Sequence, residues 1–304
     1  MRIHHHGDAS VIRTDNVPRP VPGRGDVLIN VAATSFNPSD IGLRRGLLRS
    51  VFPLDLPYTL GGDVAGTIVE VDDDVHTLAV GDRVIGRLDA GGAAAEYVTT
   101  AADTVVAAPT AVPLPHAAAI PIAGVTAWQA VFEHAGIAPG QRVLVNGAGG
   151  GVGGFAVQLA KHAGAHVTAT ASPRSTEVVR QLGADQVVDY TATPLGDALD
   201  RPVDAILNFV VVSARQAVTL MSLVRPGGVV VSATGALKAP AGFAVTVVHF
   251  VARNDTSHLA GLVRLVDAGT VGVDVAASRP LADLAAVHRD AESGRIRGKT
   301  ILVP

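Results

Sequence analysis

Val143-Leu144-Val145-Asn146-Gly147-Ala148-Gly149-Gly150-Gly151-Val152-Gly153-Gly154 decides the fold class of this chain. The apolar residues at its start predict a short strand over Gln141 to Gly147, and the glycines run directly into a helix predicted over Val152 to His162. Glycines in such a turn permit a tight bend. They also let backbone N–H groups approach a pyrophosphate, whose charge the helix N-terminus favours. Gly149, Gly151 and Gly154 satisfy G-x-G-x-x-G literally, but so many glycines leave the register open by one residue. The functional reading is a dinucleotide site; the bland one is a turn whose glycines serve only close packing.

Outward from that turn the chain alternates strand and helix. Strands are predicted at His166 to Ala171, Gln186 to Asp189, Val203 to Phe209, Gly228 to Ala233 and Ala244 to Ala252, with helices at Ser175 to Leu182 and Ser213 to Val224. Six strands in this rhythm predict a doubly wound parallel sheet covered on both faces, an α/β fold. Before it, short alternating runs such as Val27 to Val31, Val64 to Val71, Arg83 to Ile85, Ala93 to Val98 and Thr104 to Ala107 are separated by turn residues, which predicts a partly open β-barrel. After it, helices at Ser257 to Ala268 and Leu281 to Ser293 and a strand at Thr300 to Val303 carry too little apolar surface to stand alone. They are read as completing the β-domain, giving residues 1–115 with 256–304 as one domain and 116–255 as the other.

The chain has 304 residues, 48% of them hydrophobic and 17% charged, so it is no disordered polymer. A net charge of −3 gives no basic field for nucleic acid. The absence of cysteine removes disulfides, thiolate catalysis and thiolate metal sites, and agrees with a reducing compartment. No run of 18 apolar residues predicts a membrane span, and the first fifteen residues lack the apolar block of a signal peptide, so a cytoplasmic location is expected. His4-His5-His6 alternate in direction on an extended segment and are not expected to share a metal.

The end of the second strand of the parallel sheet bears on the cofactor. An enzyme using NAD places Asp or Glu there to accept from the ribose 2′-hydroxyl, whereas this chain reads Ser172-Pro173-Arg174-Ser175. A hydroxyl with an arginine suits a 2′-phosphate, so NADPH is the expected cofactor. Otherwise Arg174 is a solvated residue beside a serine cap.

Several segments together resemble the zinc-free medium-chain dehydrogenases/reductases of the quinone oxidoreductase type. They are Phe36-Asn37-Pro38-Ser39-Asp40, Leu60 to Gly66, Val80 to Val84, Gly124-Val125-Thr126-Ala127, the glycine turn with Ala148 to Gly153 in an A-x-x-G-x-G register, Leu182 to Asp185, Leu223 to Gly228 and Gly298-Lys299. The resemblance implies a GroES-like β-domain with a Rossmann domain inserted, and a nicotinamide cofactor in the cleft between them. It places Asn37 and Thr126 near the nicotinamide. Ala148, Gly149, Gly150, Gly151, Val152 and Gly153 form the pyrophosphate turn, and Ser172, Arg174 and Tyr190 lie around the 2′-phosphate. Phe250, Val251 and Lys299 border the nicotinamide side. Tyr190 reads equally well as a strand-end aromatic with no ligand.

Two departures stand out. Gly42 occupies a position where many relatives carry tyrosine, which removes an obvious proton donor. Asn208-Phe209-Val210-Val211-Val212 replaces a D-x-V-G-G pattern. The expected activity is NADPH-dependent hydride transfer to a small, apolar, electrophilic quinone or conjugated carbonyl. Asn37 is the candidate hydrogen-bond donor and Arg44 a candidate anion-stabilising group, with a solvated helix face as the alternative for Arg44. An enoyl reductase and a weakly catalytic NADPH-binding sensor are the competing readings. The resemblance also implies a homodimer joined through the last strand of the Rossmann sheet, at Ala244 to Ala252.

Overall fold

The computed structural model describes residues 1–304 and divides them into two compact units, Met1–Ile122 with Asn254–Gly269 and Val273–Pro304, and Ala123–Arg253 with Thr270–Gly272. The first unit opens with strands β1 (Arg2–Ile3), β2 (Ile12–Arg13), β3 (Asp26–Ser35), β4 (Tyr58–Thr59), β5 (Asp63–Val71), β6 (Arg83–Arg87), β7 (Tyr97–Ala101) and β8 (Val105–Ala107). Helix α1 (Pro38–Arg44) follows β3, and α2 (Leu114–Ala117) follows β8. Alternation along β3, β5 and β6 turns Val27, Ile29, Val31, Val64, Ile68 and Val84 into one buried cluster. The strand expected at Ala93 begins only at Tyr97. Ala93 and Ala94 are buried because their N–H groups bond the carbonyls of Gly61 and Leu60, at 3.1 and 2.8 Å, in a loop-to-loop contact that mimics a strand's burial.

The second unit begins within helix α3 (Pro121–Trp128) and continues through one π-helical stretch, Gln129–His134. It then runs β9 (Arg142–Asn146), α4 (Gly151–His162), β10 (His166–Ala171), α5 (Thr176–Gln181), β11 (Gln186–Asp189), α6 (Leu195–Ala198), β12 (Val203–Asn208), α7 (Ala214–Ser222), β13 (Val224–Ser232) and β14 (Thr246–His249). The sheet order is β11-β10-β9-β12-β13-β14 with every pair parallel. This is a Rossmann-like sheet whose order reverses beside β9, so the β9 turn lies at the switch point where such sheets take ligands. Val143, Leu144, Val145, Ile206, Leu207, Val230 and Val231 are fully buried, as strands covered on both faces require. β14 is shorter than the run expected over Ala244 to Ala252, since only four residues pair with β13.

The chain returns to the first unit through α8 (Thr256–Asp267), β15 (Val275–Pro280), α9 (Leu284–Glu292) and β16 (Lys299–Val303). β16 lies between β15 and β3, so the C-terminal strand sits inside the GroES-like sheet rather than at its margin. No helix is long and apolar enough to cross a membrane.

Candidate functional site

Within the Rossmann unit, the glycine register is fixed by two close approaches. Gly147 has φ +91°, a left-handed conformation that L side chains rarely adopt. A Cβ on Gly153 would lie 2.2 Å from the Gly147 carbonyl oxygen, so α4 can rest on the turn only with glycine there. The turn therefore runs from Gly147 to Gly153, which selects the A-x-x-G-x-G register over the one ending at Gly154. Gly150 is the N-cap of α4. The N–H groups of Gly151, Val152 and Gly153 have no acceptor within the helix and face the ground beyond its N-terminus, as an anion site requires. Ala148 is buried beneath them, and a Cβ on Gly149 would meet the Ser175 hydroxyl at 2.6 Å.

β10 and β11 are in register with Ala171 opposite Asp189. Ser172, Arg174 and Tyr190 therefore leave neighbouring strands at the same end of the sheet, around the N-terminus of α5. The Ser172 carbonyl accepts from the N–H groups of Ser175 (2.9 Å) and Thr176 (3.1 Å), which holds the tip in place. Arg174 and Tyr190 project outward, Tyr190 with 59% of its surface exposed.

Thr126 is buried on α3. One turn on, the Gln129 amide donates to Arg253 O (3.0 Å) and accepts from Arg253 N (3.2 Å), while Glu133 pairs with both Arg253 Nη atoms at 2.6 Å. Phe250 is buried against His134, with ring centroids 4.3 Å apart. Val251 beside it is 62% exposed. These contacts hold the segment Phe250 to Arg253 against the π-helical stretch that follows α3.

In the GroES-like unit, Asn37 and Lys299 meet in a buried polar cluster. Lys299 Nζ donates to Asn37 Oδ1 (2.9 Å), Phe36 O (3.1 Å) and Asp63 Oδ2 (3.5 Å). Asn37 Nδ2 donates to Asp63 Oδ2 at 2.8 Å and to Ser35 O at 3.4 Å. Asp63 also accepts from the Ser35 hydroxyl and from Ile122 N. Asn37 can thus offer a hydrogen to a ligand only by giving up its long contact with Ser35. Lys299 has three acceptors for its three hydrogens and is 4% exposed. Burial pushes its ammonium pKa down, against the pull of the Asp63 and Asp40 carboxylates.

Arg44 requires a correction. Its side chain is fully buried, with Nη2 on Glu292 (2.6 Å) and Nη1 on Gly7 O (2.9 Å). A guanidinium spent on tying α1 to α9 does not stabilise an anion in a pocket, and neither does it form a solvated helix face.

Two buried groups here give opposite pH dependences. Asp40, whose carboxylate accepts from Asn37 N, is pushed up to about 7 by burial and by Asp63. The folded state holds a proton that the unfolded chain releases, so this group's stabilisation fades as pH rises from about 4 to 7. His288 packs edge-on against Phe36, and neither of its ring nitrogens has a partner. Burial and the nearby Arg44 charge lower its pKa to about 3. The unfolded chain then binds the extra proton, and stability rises with pH up to about 6.5. Between pH 5 and 8 the two effects nearly cancel. Asp40→Asn should unmask the histidine, giving stability that climbs by roughly 2 kcal/mol over that range in urea unfolding, whereas the parent protein stays nearly flat.

Asn146, Thr170 and Asn208 underlie the glycine turn; of these the sequence flagged only Asn208, as a departure from the D-x-V-G-G pattern, and Asn146 and Thr170 were not expected. The only signal for those two was a polar residue near the end of an otherwise apolar strand.

The profile described as alcohol dehydrogenase GroES-like domain matches residues 23–110, and that described as zinc-binding dehydrogenase matches residues 182–302. A chloroplastic quinone oxidoreductase of Triphysaria versicolor is 40% identical over 203 residues, 64% of this chain and 61% of that protein. The match thus spans about three fifths of that relative's length. The 2-methylene-furan-3-one reductase of Solanum lycopersicum is 33% identical over 98% of this chain and 77% of its own. Among solved structures, Escherichia coli quinone oxidoreductase complexed with NADPH has a TM-score of 0.89 and 25% identity, covering 100% of this chain and 99% of that one. The chain has no cysteine, and no three His, Asp or Glu side chains converge.

Proposed function

Because this chain belongs to the quinone oxidoreductase family of medium-chain dehydrogenases/reductases, we propose that it is an NADPH-dependent reductase of quinones. The observation that carries the reading is the glycine turn, a cradle that any Cβ at Gly147 or Gly153 would spoil, set at the switch point of the sheet. When bound, NADPH supplies a hydride; with one proton from solvent it converts a quinone to the hydroquinone.

The chain's own residues bind and orient. The N–H groups of Gly151, Val152 and Gly153 hold the pyrophosphate, with Ala148, Gly149 and Gly150 shaping the approach. Ser172, Arg174 and Tyr190 would surround the adenosine 2′-phosphate. Thr126, Phe250 and Val251 form the nicotinamide edge in this unit. In the other unit, Lys299 and Asp63 fix the amide of Asn37, whose Ser35-facing hydrogen is the one it can release to a ligand. No protein acid is assigned to the proton. The order in which hydride and proton arrive is left to the acceptor's own electrophilicity.

Mixing the protein and NADPH with 1,4-benzoquinone, 9,10-phenanthrenequinone and an enone, followed at 340 nm, tests this reading. Oxidation with the quinones supports it, and NADPH consumed by none of them overturns it. The tomato relative's name favours a second reading, reduction of a conjugated double bond, which oxidation by the enone alone would establish. For the cofactor, Arg174→Ala is expected to weaken NADPH binding about 10–100-fold by losing a charged hydrogen-bond partner. NADH binding should be almost unchanged. Equal losses for both nucleotides would remove Arg174 from the phosphate site.

The homodimer is proposed to form along β14. This strand pairs on one side only, with β13, and leaves a row of edge groups for a second copy. Sedimentation velocity at micromolar concentration decides it: a monomer throughout sinks the proposal.

A further inference from the structure

At the C-terminal ends of three adjacent strands, β10, β9 and β12, side chains form a single directed line of hydrogen bonds. Gly147 N donates to Thr170 Oγ1 (2.9 Å), and that hydroxyl donates to Asn146 Oδ1 (2.9 Å). Asn146 Nδ2 donates to Asn208 Oδ1 (2.8 Å), and Asn208 Nδ2 donates to Val210 O (2.9 Å). The register makes this possible, because Asn146 stands opposite Asn208 and Asn208 opposite Ser232. Thr234 Oγ1 donates to the same Val210 carbonyl at 2.8 Å.

The line begins at the left-handed glycine and ends on the segment that covers it. A Cβ on Gly147 would come within 2.7 Å of Val210 Cγ1, so the Val210 side chain rests directly against the turn. Asn208 is fully buried and serves both as acceptor and as donor. A carboxylate at this position could only accept, and would face the Val210 carbonyl with no hydrogen between them. The hydrogen-bond partners of Asn208 are all uncharged: Asn146, Ser232, Thr234 and the Val210 main chain.

We infer that Asn208 is a positioning residue for the nucleotide site, holding the segment from Phe209 to Val212 against the glycine turn so that the turn keeps its binding shape. The inference rests on the reading of that turn as a dinucleotide site. Donors pointing one way along a buried line polarise one another, so loss of the Asn208 link is felt at Gly147 as well as at Val210.

The test is calorimetric titration with NADP+, stable in acid, from pH 5 to pH 8. Each variant's Kd is divided by that of the parent protein at the same pH. Asn208→Asp should bind about tenfold more weakly at pH 8. The ratio should shrink toward one as pH falls, because burial raises the acid's pKa and the protonated acid regains a donor for Val210 O. Asn208→Ala should be weaker by a constant factor. Amide exchange of Phe209 to Val212 should quicken in Asn208→Asp at pH 8 and slow again at pH 5. If Asn208→Asp does not fold, Thr234→Val, at an exposed position, should still weaken binding about threefold. A ratio that does not change with pH, or an unchanged affinity in Thr234→Val, overturns the assignment while leaving the dinucleotide site intact. Failure of the parent protein to bind NADP+ overturns both.

Discussion

Gly153→Ala is expected to weaken NADPH binding by 100-fold or more, close to 3 kcal/mol, in a titration of nucleotide fluorescence. The added methyl would stand 2.2 Å from the Gly147 carbonyl and 2.7 Å from the Ala148 Cα. Both are backbone atoms of the turn and cannot swing aside as a side chain end can. To admit the methyl, α4 must lift from the turn, and the N–H groups of Gly151 to Gly153 lose their common focus. Stability should also fall by roughly 1–3 kcal/mol, the usual range for overpacking. Gly154→Ala is the internal control. Its nearest neighbour is Leu182 Cδ1, at 3.2 Å and the end of a flexible side chain, and alanine is the better helix former. That variant should bind within a few-fold of the parent. If Gly154→Ala were the damaging change and Gly153→Ala the mild one, the register derived from the structure would be wrong.

Lys299→Met should destabilise the protein by about 3–5 kcal/mol, read as a lowered urea midpoint with little change in slope. Methionine fills the same volume but leaves the fully buried Asp63 carboxylate without its cation, while Asn37 Oδ1 and Phe36 O lose their donor. The paired variant Lys299→Met with Asp63→Asn should lose much less than the sum of the two single changes. Removing both charges also removes the uncompensated one. Additive losses would mean that Lys299 matters for packing alone.

These two sites were unequally legible in the sequence. The glycine turn is local: a strand, a bend and a helix within twelve residues, so pattern and spacing were enough. Only the choice between Gly153 and Gly154 needed the close approach to Gly147. The Lys299 cluster joins residues 262 positions apart, and no periodicity announces that a lysine near the C-terminus will meet an asparagine after the third strand. Arg44 failed for the same reason, since its partner Glu292 lies 248 positions on. Read locally, it was a candidate anion-stabilising group or part of a solvated helix face. The six-stranded parallel sheet was clear from alternation. The barrel strands were clear too, except where buried Ala93 and Ala94 owe their burial to loop packing.

The position of β16 imposes an order on biosynthesis. Within the described chain it is the last strand made, yet it fills the slot between β15 and β3 and brings Lys299 to Asp63. The nucleotide unit is almost one continuous stretch and can close on the ribosome while the first unit still waits. At ~5–20 residues per second, the first 122 residues would wait roughly 10–40 s for that strand. Throughout that interval Thr34 and Ser35 of β3 lack their strand partner and Asp63 lacks its counterion, so the nascent first unit carries an open strand edge until β16 emerges.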